Sequence, residues 1–237
     1  MKYRRLGKSD IKVSEIGFGA WTIGLNWWGK KIEDDEAIKM LKRAYDLGIN
    51  FYDTGDIYGK GKSEKLIGIA FKDMRSEIVY STKWGYDMYN AEQIGHNELP
   101  QKHDTEYLQY ALSQSLDRLQ TDYIHVYSLH NPKMQAVTDK ELFKSLETLV
   151  TSGMIKSHGV ALGPALRRPV INAIGNVLVF VLSIVWNRGD VSRVFCVEVD
   201  VPGREQCLDV ARSTTLHPVS RLPSPVSRFP VFPIPEQ

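Results

Sequence analysis

Apolar positions in the first two thirds of the chain follow two different spacings. Short, nearly continuous apolar runs predict strands, and longer segments with apolar residues at helical spacing separate them. The predicted strands cover residues 15–20, 49–53, 78–83, 123–128 and 155–160. A turn through residues 7–10 predicts a hairpin before the first of them. The pattern therefore indicates a regular succession of strands joined by helices.

Helices are predicted between these strands at residues 34–47, 63–71, 105–119 and 138–151. Gly48 and Gly153 follow the first and last of them, where a left-handed residue commonly ends a helix. Thr138 and Glu141 have the spacing of a capping box at the start of the last helix. Because parallel strands need crossover connections, this order predicts an α/β fold. Periodicity alone leaves a closed barrel and a doubly wound open sheet as alternatives.

Two glycine-rich stretches can be compared with the fingerprint of doubly wound dinucleotide-binding folds, G-x-G-x-x-G after a strand. Gly17-Phe-Gly19 is followed by Ala20-Trp21-Thr22, which lacks the third glycine. Gly59-Lys-Gly61 is followed by Lys62-Ser63-Glu64, which lacks it as well. The missing glycines argue against the doubly wound alternative.

Charge and composition exclude several classes of protein. The formal net charge of +2 is too small to indicate a nucleic-acid or anionic-membrane partner. No apolar run follows the basic residues at 2–5, so no secretory signal is predicted. Two cysteines cannot form a disulfide framework, and no metal-ligand spacing stands out. We therefore expect a cytoplasmic protein without a metal.

Ionisable side chains follow three consecutive predicted strands. Asp53 ends the second strand, and Tyr58 lies five residues further along the chain. Lys83 ends the third strand, and His130 follows the fourth. In a parallel barrel the carboxyl ends of the strands share one face, where active sites lie. We therefore expect these four side chains to meet in one pocket.

The four residue types suit the reduction of a carbonyl group by hydride, which requires a proton for the developing alkoxide. A tyrosine has an ordinary pKa near 10, and a neighbouring ammonium such as Lys83 lowers it by stabilising the phenolate. Asp53 would hold Lys83 charged and in place. His130 could donate a hydrogen bond to the carbonyl oxygen and orient it.

The segment Asn50-Phe-Tyr-Asp-Thr-Gly-Asp-Ile-Tyr-Gly59, followed by Ser63-Glu64, resembles the signature of the aldo-keto reductases. Thr82-Lys83 and Leu129-His130 match the next two sites of that family, and residues 15–21 look like its first strand. The resemblance covers residues 3–165. It implies a (β/α)8 barrel of aldo-keto reductase type, incomplete here, with about five βα units recognisable.

The resemblance also implies a function. It assigns catalysis to Asp53, Tyr58, Lys83 and His130, with NADPH or NADH as cofactor and small aldehydes or ketones as substrates. The cofactor contacts expected from it are Trp21, Asp53 and Ala161, although Ala161-Leu162 stands where the family often has Ser-Asn. Trp21 and Trp84 either wall the substrate pocket or simply pack. The alternative to a reductase is a non-catalytic fragment or a cofactor-sensing binding subunit on the same barrel.

Residue usage changes abruptly near Ala165. All 17 lysines and all 11 tyrosines lie before residue 166, and both cysteines and eight of the 11 prolines lie after it. We therefore divide the chain into a barrel portion, residues 1–165, and an atypical tail, residues 166–237. A frameshift product and a fused module both remain open for this tail, which lacks the later cofactor contacts of the family.

The tail itself has two distinct parts. Residues 170–186 are mostly apolar, which fits either a short membrane span or buried strands. Strands are most plausible at 177–186 and 194–201. The spaced prolines of residues 218–235 indicate a disordered or extended end.

Overall fold

The computed structural model describes residues 1–7, 9–25, 31–92 and 98–161, and the backbone of residues 178–184 and 194–199. The strands are β1 (Tyr3–Arg5), β2 (Lys12–Ser14), β3 (Phe18–Gly19), β4 (Phe51–Asp53), β5 (Val79–Trp84), β6 (Ile124–His130), β7 (Ile155–Ala161), β8 (Leu178–Ile184) and β9 (Val194–Val199). The helices are α1 (Trp21–Gly24), α2 (Asp34–Asp46), α3 (Lys62–Phe71), α4 (Thr105–Leu119), α5 (Met134–Val137) and α6 (Lys140–Thr151), with a 3-10 helix at Lys72–Glu77.

The main sheet follows the order of the chain. Strands β3 to β9 are neighbours in sequence order, and β3 to β8 pair in parallel while β9 pairs antiparallel with β8. The strands β1 and β2 form a separate antiparallel hairpin, as the turn at residues 7–10 predicted. The α/β class and all five predicted strands are thereby confirmed.

The two faces of the sheet have different coverings. On one face, α2, α3, α4 and α6 pack into a single hydrophobic core with alternate residues of the strands. This core includes Leu41, Leu66, Leu108 and Leu146 of the helices and Tyr52, Tyr80 and Tyr127 of the strands. The adjacent strand residues Phe51, Val79 and Val126 face the other way and pack against Leu6 and Val13 of the hairpin region. Because a doubly wound sheet carries helices on both faces, this arrangement is that of a partial barrel.

Helix ends show where local sequence decides the structure. Gly48 and Gly153 have φ values of +89° and +81°, so both end their helices as predicted. The capping box predicted at Thr138 is wrong. Asp139 is the N-cap of α6, and its Oδ1 accepts hydrogen bonds from the backbone N–H groups of Glu141 and Leu142. Thr138 instead is the C-cap of α5, and its hydroxyl donates a hydrogen bond to the Met134 carbonyl.

The described part of the tail is extended. Strand β8 continues the parallel sheet beside β7, and β9 returns beside β8, which confirms the strands predicted at 177–186 and 194–201. The proline-rich residues 218–235 lie outside the described residues, as does Leu162. Within the described ranges, no helix combines the length and apolar character that a membrane crossing requires.

The loop between β4 and α3 is interlocked with α1. A Cβ on Gly59 would lie 2.1 Å from the Gly24 carbonyl oxygen, and one on Gly24 would lie 2.6 Å from the Tyr58 carbonyl oxygen. The Ser63 hydroxyl donates a 2.7 Å hydrogen bond to the Ala20 carbonyl. Only glycine allows this approach, so the backbone around Tyr58 is fixed by contact with α1.

Gly59 is therefore expected to tolerate alanine less well than another left-handed glycine. Gly153 has φ +81°, but a Cβ there would meet only the end of a lysine side chain, at 3.9 Å, so Gly153→Ala measures the conformational effect alone. That effect should lower the free energy of unfolding by about 1–2 kcal/mol. Gly59→Ala adds the backbone clash and should lower it by about 1–3 kcal/mol more. Urea unfolding of both variants measures the difference, and equal losses would contradict the interlock.

Candidate active site

Three strands each place an ionisable side chain at the same end of the sheet. Asp53 is the last residue of β4, His130 is the last residue of β6, and Lys83 lies one residue before the end of β5. Asp53 pairs in register with Ser81, and Lys83 with Ser128. The carboxyl ends of parallel strands coincide in this way, so the three side chains share the face opposite the helices.

The centre of the site is a buried ion pair between Lys83 and Asp53, which are 4% and 5% exposed. The Lys83 ammonium also donates a 2.6 Å hydrogen bond to the Thr54 carbonyl. The second carboxylate oxygen of Asp53 accepts a 2.9 Å hydrogen bond from the Ser81 hydroxyl. Each charge is thus both paired and hydrogen-bonded, which is the condition for keeping charges inside a protein.

Tyr58 and His130 complete the cluster. The Lys83 ammonium nitrogen lies 5.3 Å from the centroid of the Tyr58 ring. The ring of His130 meets that of Tyr58 edge to face, with centroids 5.5 Å apart and an interplanar angle of 89°. The structure therefore brings together the four side chains that the sequence placed at the strand ends.

Burial and charge act in opposite directions on these groups. Burial raises the pKa of Asp53, and the Lys83 charge opposes that rise. Burial lowers the pKa of Lys83, but its interactions with Asp53 and Tyr58 outweigh this effect, so the pKa stands above its ordinary value. Burial also raises the pKa of Tyr58, and here Lys83 lowers it in the predicted sense without reversing the rise. The resting site thus holds a charged lysine and a protonated phenol.

The sequence also suggested Trp21, Ala161 and Trp84 for the site, and the structure places them as follows. Trp21 is half-buried at the start of α1, and Ala161 ends β7 in register with His130. Trp84 is fully buried, and its ring stacks on Tyr127 at 5.9 Å in the helix-side core. Since neighbouring strand residues point to opposite faces, Trp84 points away from Lys83. The suggestion that Trp84 walls the substrate pocket is therefore corrected, and its packing alternative holds.

Two features of the site are not predicted from the sequence. Tyr86 lies three residues after Lys83, and its ring centroid is 5.1 Å from that of His130. Glu64 is fully buried behind the sheet, where it accepts hydrogen bonds from Arg118 at 2.7 Å and from the Thr82 hydroxyl at 2.6 Å. An acidic residue at the start of an apolar helix is a signal that could have indicated this buried ion pair.

With this geometry in view, the comparison with known proteins is decisive for the family. A model of the aldo/keto reductase family matches residues 15–167. The chain belongs to the aldo/keto reductase family. Membership places it in an oxidoreductase lineage. An uncharacterized oxidoreductase of Bacillus subtilis, YqkF, is 34% identical over 161 residues, covering 68% of this chain and 49% of that protein.

A plant relative is equally similar in sequence. A probable voltage-gated potassium channel subunit beta of rice is 34% identical over 166 residues, covering 68% of this chain and 44% of that protein. The chain spans about half the length of the curated relatives it matches.

Solved structures of aldo-keto reductases are similar to this chain in fold. The holo form of the aldo-keto reductase AKR11C1 from Bacillus halodurans superposes with a TM-score of 0.62 at 33% identity, covering 73% of this chain and 53% of that one. An aldo/keto reductase from Klebsiella pneumoniae in complex with NADP and acetate gives a TM-score of 0.53 at 26% identity, covering 69% and 50%.

The buried ion pair makes a prediction about stability and pH. Lys83→Met leaves the Asp53 carboxyl buried without its partner and should lower the free energy of unfolding by about 3–5 kcal/mol at pH 7. Without Lys83 the pKa of folded Asp53 rises further above its unfolded value near 4. The folded variant then binds more protons than the unfolded chain, so its stability falls as pH rises from about 4 toward that raised pKa.

The matched control is the double variant Asp53→Asn/Lys83→Met, which removes both charges. Denaturant unfolding between pH 4 and 8 should show that the free energy of unfolding falls more steeply with rising pH in Lys83→Met than in the double variant. Equal slopes in the two variants would show that the pair is not coupled as the structure indicates.

Proposed function

We propose that this chain carries the reacting half of an NAD(P)H-dependent carbonyl reductase, in which Tyr58 is the general acid. The observation that supports it is the convergence of a phenol, an ammonium and an imidazole around a buried ion pair at the carboxyl end of the sheet. Active sites of barrels lie at this end. Small aldehydes and ketones are the substrate class that this chemistry fits.

The donor set suits a nicotinamide cofactor. When bound, reduced nicotinamide supplies the hydride that adds to the carbonyl carbon. The described residues then have to provide a proton for the carbonyl oxygen, and Tyr58, Lys83 and His130 form a group able to do so. We keep Trp21, Asp53 and Ala161 as proposed contacts to the cofactor, and the Klebsiella relative in complex with NADP supports the choice of cofactor.

Each of the four side chains has a distinct proposed task. Tyr58 is protonated at neutral pH, because a tyrosine has an ordinary pKa near 10 and burial raises the pKa of Tyr58 further, so it can donate the phenolic proton to the developing alkoxide. The Lys83 charge stabilises the phenolate that this leaves behind, and Asp53 holds Lys83 in place. The imidazole of His130 orients the carbonyl oxygen beside Tyr58.

The role of Tyr58 is tested by Tyr58→Phe, which removes the acidic hydroxyl and keeps the ring edge against His130. Aldehyde reduction with NADPH should fall by about a hundredfold or more, because a general acid contributes that much to the rate. Tyr110→Phe is the matched control, since Tyr110 is an exposed tyrosine of α4. A Tyr58→Phe variant as fast as the parent chain would remove Tyr58 from the mechanism.

A second candidate function is a cofactor-sensing binding subunit. The similarity to a potassium channel subunit beta of rice favours it, because that relative matches an equal share of the chain with the same identity as the oxidoreductase YqkF. The two candidates share the cofactor and differ in turnover.

Titration of the whole chain with NADPH, followed by an aldehyde reduction assay, separates them. We expect NADPH to bind very weakly or not at all, because residues 166–237 contain no counterpart of the phosphate-binding sequences that the resemblance implies. Saturable binding with turnover supports the reductase. Saturable binding without turnover supports the sensing subunit, and absence of binding at millimolar NADPH contradicts both and supports the non-catalytic fragment.

A further inference from the structure

Residues 85–87 and 100–102, which begin and end the segment after β5, are hydrogen-bonded to each other next to the site. The Lys102 N–H donates to the Gly85 carbonyl at 2.9 Å, and the Asp87 N–H donates to the Pro100 carbonyl at 2.8 Å. Tyr86 and Gln101 form an isolated antiparallel bridge between these two hydrogen bonds. The start and end of the segment are therefore held together, with Tyr86 at the centre of the closure.

Tyr86 is buried, and its side chain is fixed at both its ring and its hydroxyl. Its ring meets the imidazole of His130 at 5.1 Å with an interplanar angle of 70°. Its hydroxyl donates to the Glu98 carboxylate and accepts a 3.1 Å hydrogen bond from the Asn131 side-chain amide. Asn131 directly follows His130, so Tyr86 contacts both the ring of His130 and the residue next to it.

The backbone after His130 is tied to the same segment. Asn131 has φ +49°, a left-handed conformation that a residue other than glycine needs support to keep. Its carbonyl accepts a 2.7 Å hydrogen bond from the Gln101 side chain, and its N–H donates to the Ala161 carbonyl at 2.8 Å. The segment and β7 together thus hold the turn that begins at His130.

We infer that Tyr86 is a positioning residue that fixes the imidazole of His130 against Tyr58. The imidazole contacts two tyrosine rings, with centroid distances of 5.5 Å to Tyr58 and 5.1 Å to Tyr86, and both contacts are edge to face. Edge-to-face contacts define a ring orientation, because the alternative orientations lose the quadrupole attraction. The Asn131–Tyr86 hydrogen bond sets where the second ring stands. This inference rests on the proposed reductase function for its catalytic consequence only.

Two variants remove the same hydrogen bond from opposite ends. Tyr86→Phe removes the hydroxyl and keeps the ring, whereas Asn131→Gly removes the amide and keeps a left-handed backbone accessible. Both should lower kcat for aldehyde reduction by about tenfold, since small misplacements of reacting groups have effects up to about a hundredfold. KM should change by less than about twofold. The loss in the double variant should be smaller than the sum of the two single losses, because both variants remove the Asn131–Tyr86 hydrogen bond and only Tyr86→Phe also removes the one to Glu98.

A second measurement does not depend on activity. The imidazole proton and nitrogen signals of His130, assigned with His130→Asn, should shift in both single variants and shift furthest in Tyr86→Ala. His158, whose imidazole pairs with Glu147 at 2.8 Å and packs on Phe143, is the internal reference. Tyr110→Phe is the matched hydroxyl control.

The outcomes separate the two proposals. Shifted His130 signals with an inactive parent chain would support the positioning role and reject the reductase function. Unchanged His130 signals in Tyr86→Phe and Asn131→Gly would overturn the positioning role whatever the activity. Additive losses of kcat in the double variant would also overturn it. If Tyr86→Ala does not fold, the His130 signals of Tyr86→Phe and Asn131→Gly still test the positioning role.

Discussion

The ion pair between Lys83 and Asp53 is the constraint on which the arrangement of the site depends. Moving both charges out of water is expensive, and only a partnered, hydrogen-bonded geometry compensates for it. That geometry requires β4 and β5 to pair so that Asp53 stands opposite Ser81, two residues before Lys83. A register slip of one residue would turn Lys83 toward the helices. The register of β4 and β5 therefore determines which side chains make up the site.

Strand β5 is held by buried polar contacts on both of its faces. Lys83 pairs with Asp53 on the inner face, and Thr82 on the outer face donates to Glu64, which also binds Arg118. Glu64 lies in the first turn of α3, shortly after the loop of Tyr58, and Arg118 lies near the end of α4. The outer contacts fix the helices relative to β5, and the helix start in turn limits where the loop with Tyr58 can lie. The two polar groups thus constrain the position of Tyr58 from opposite sides of the sheet.

The sequence alone was sufficient to predict that the four side chains converge, because strand ends and helix spacing are local signals. Helix α4 was predicted with both of its ends. The start of α6 was misjudged since Thr138 and Asp139 both can cap a helix, and the choice depends on the short helix α5 before them. For Trp84 the sequence left a pocket wall and core packing as alternatives, because its position along the chain was considered and its face of the strand was not. Tyr86 was out of reach, since its place depends on pairing with Gln101, which no local pattern encodes.

In the proposed reductase, the pKa of Tyr58 shows how burial would act on proton transfer. A raised pKa makes the resting phenol a weaker acid, which on its own would slow proton transfer. The same low dielectric that raises the pKa also strengthens the attraction between a phenolate and Lys83, because Coulomb interactions grow as the effective dielectric falls. The lysine therefore contributes most at the moment when negative charge appears on the phenol, and little before it. An interaction that strengthens only along the reaction is what accelerates a chemical step. In this proposal, the burial that raises the pKa of Tyr58 therefore also strengthens the effect of Lys83 once the proton leaves.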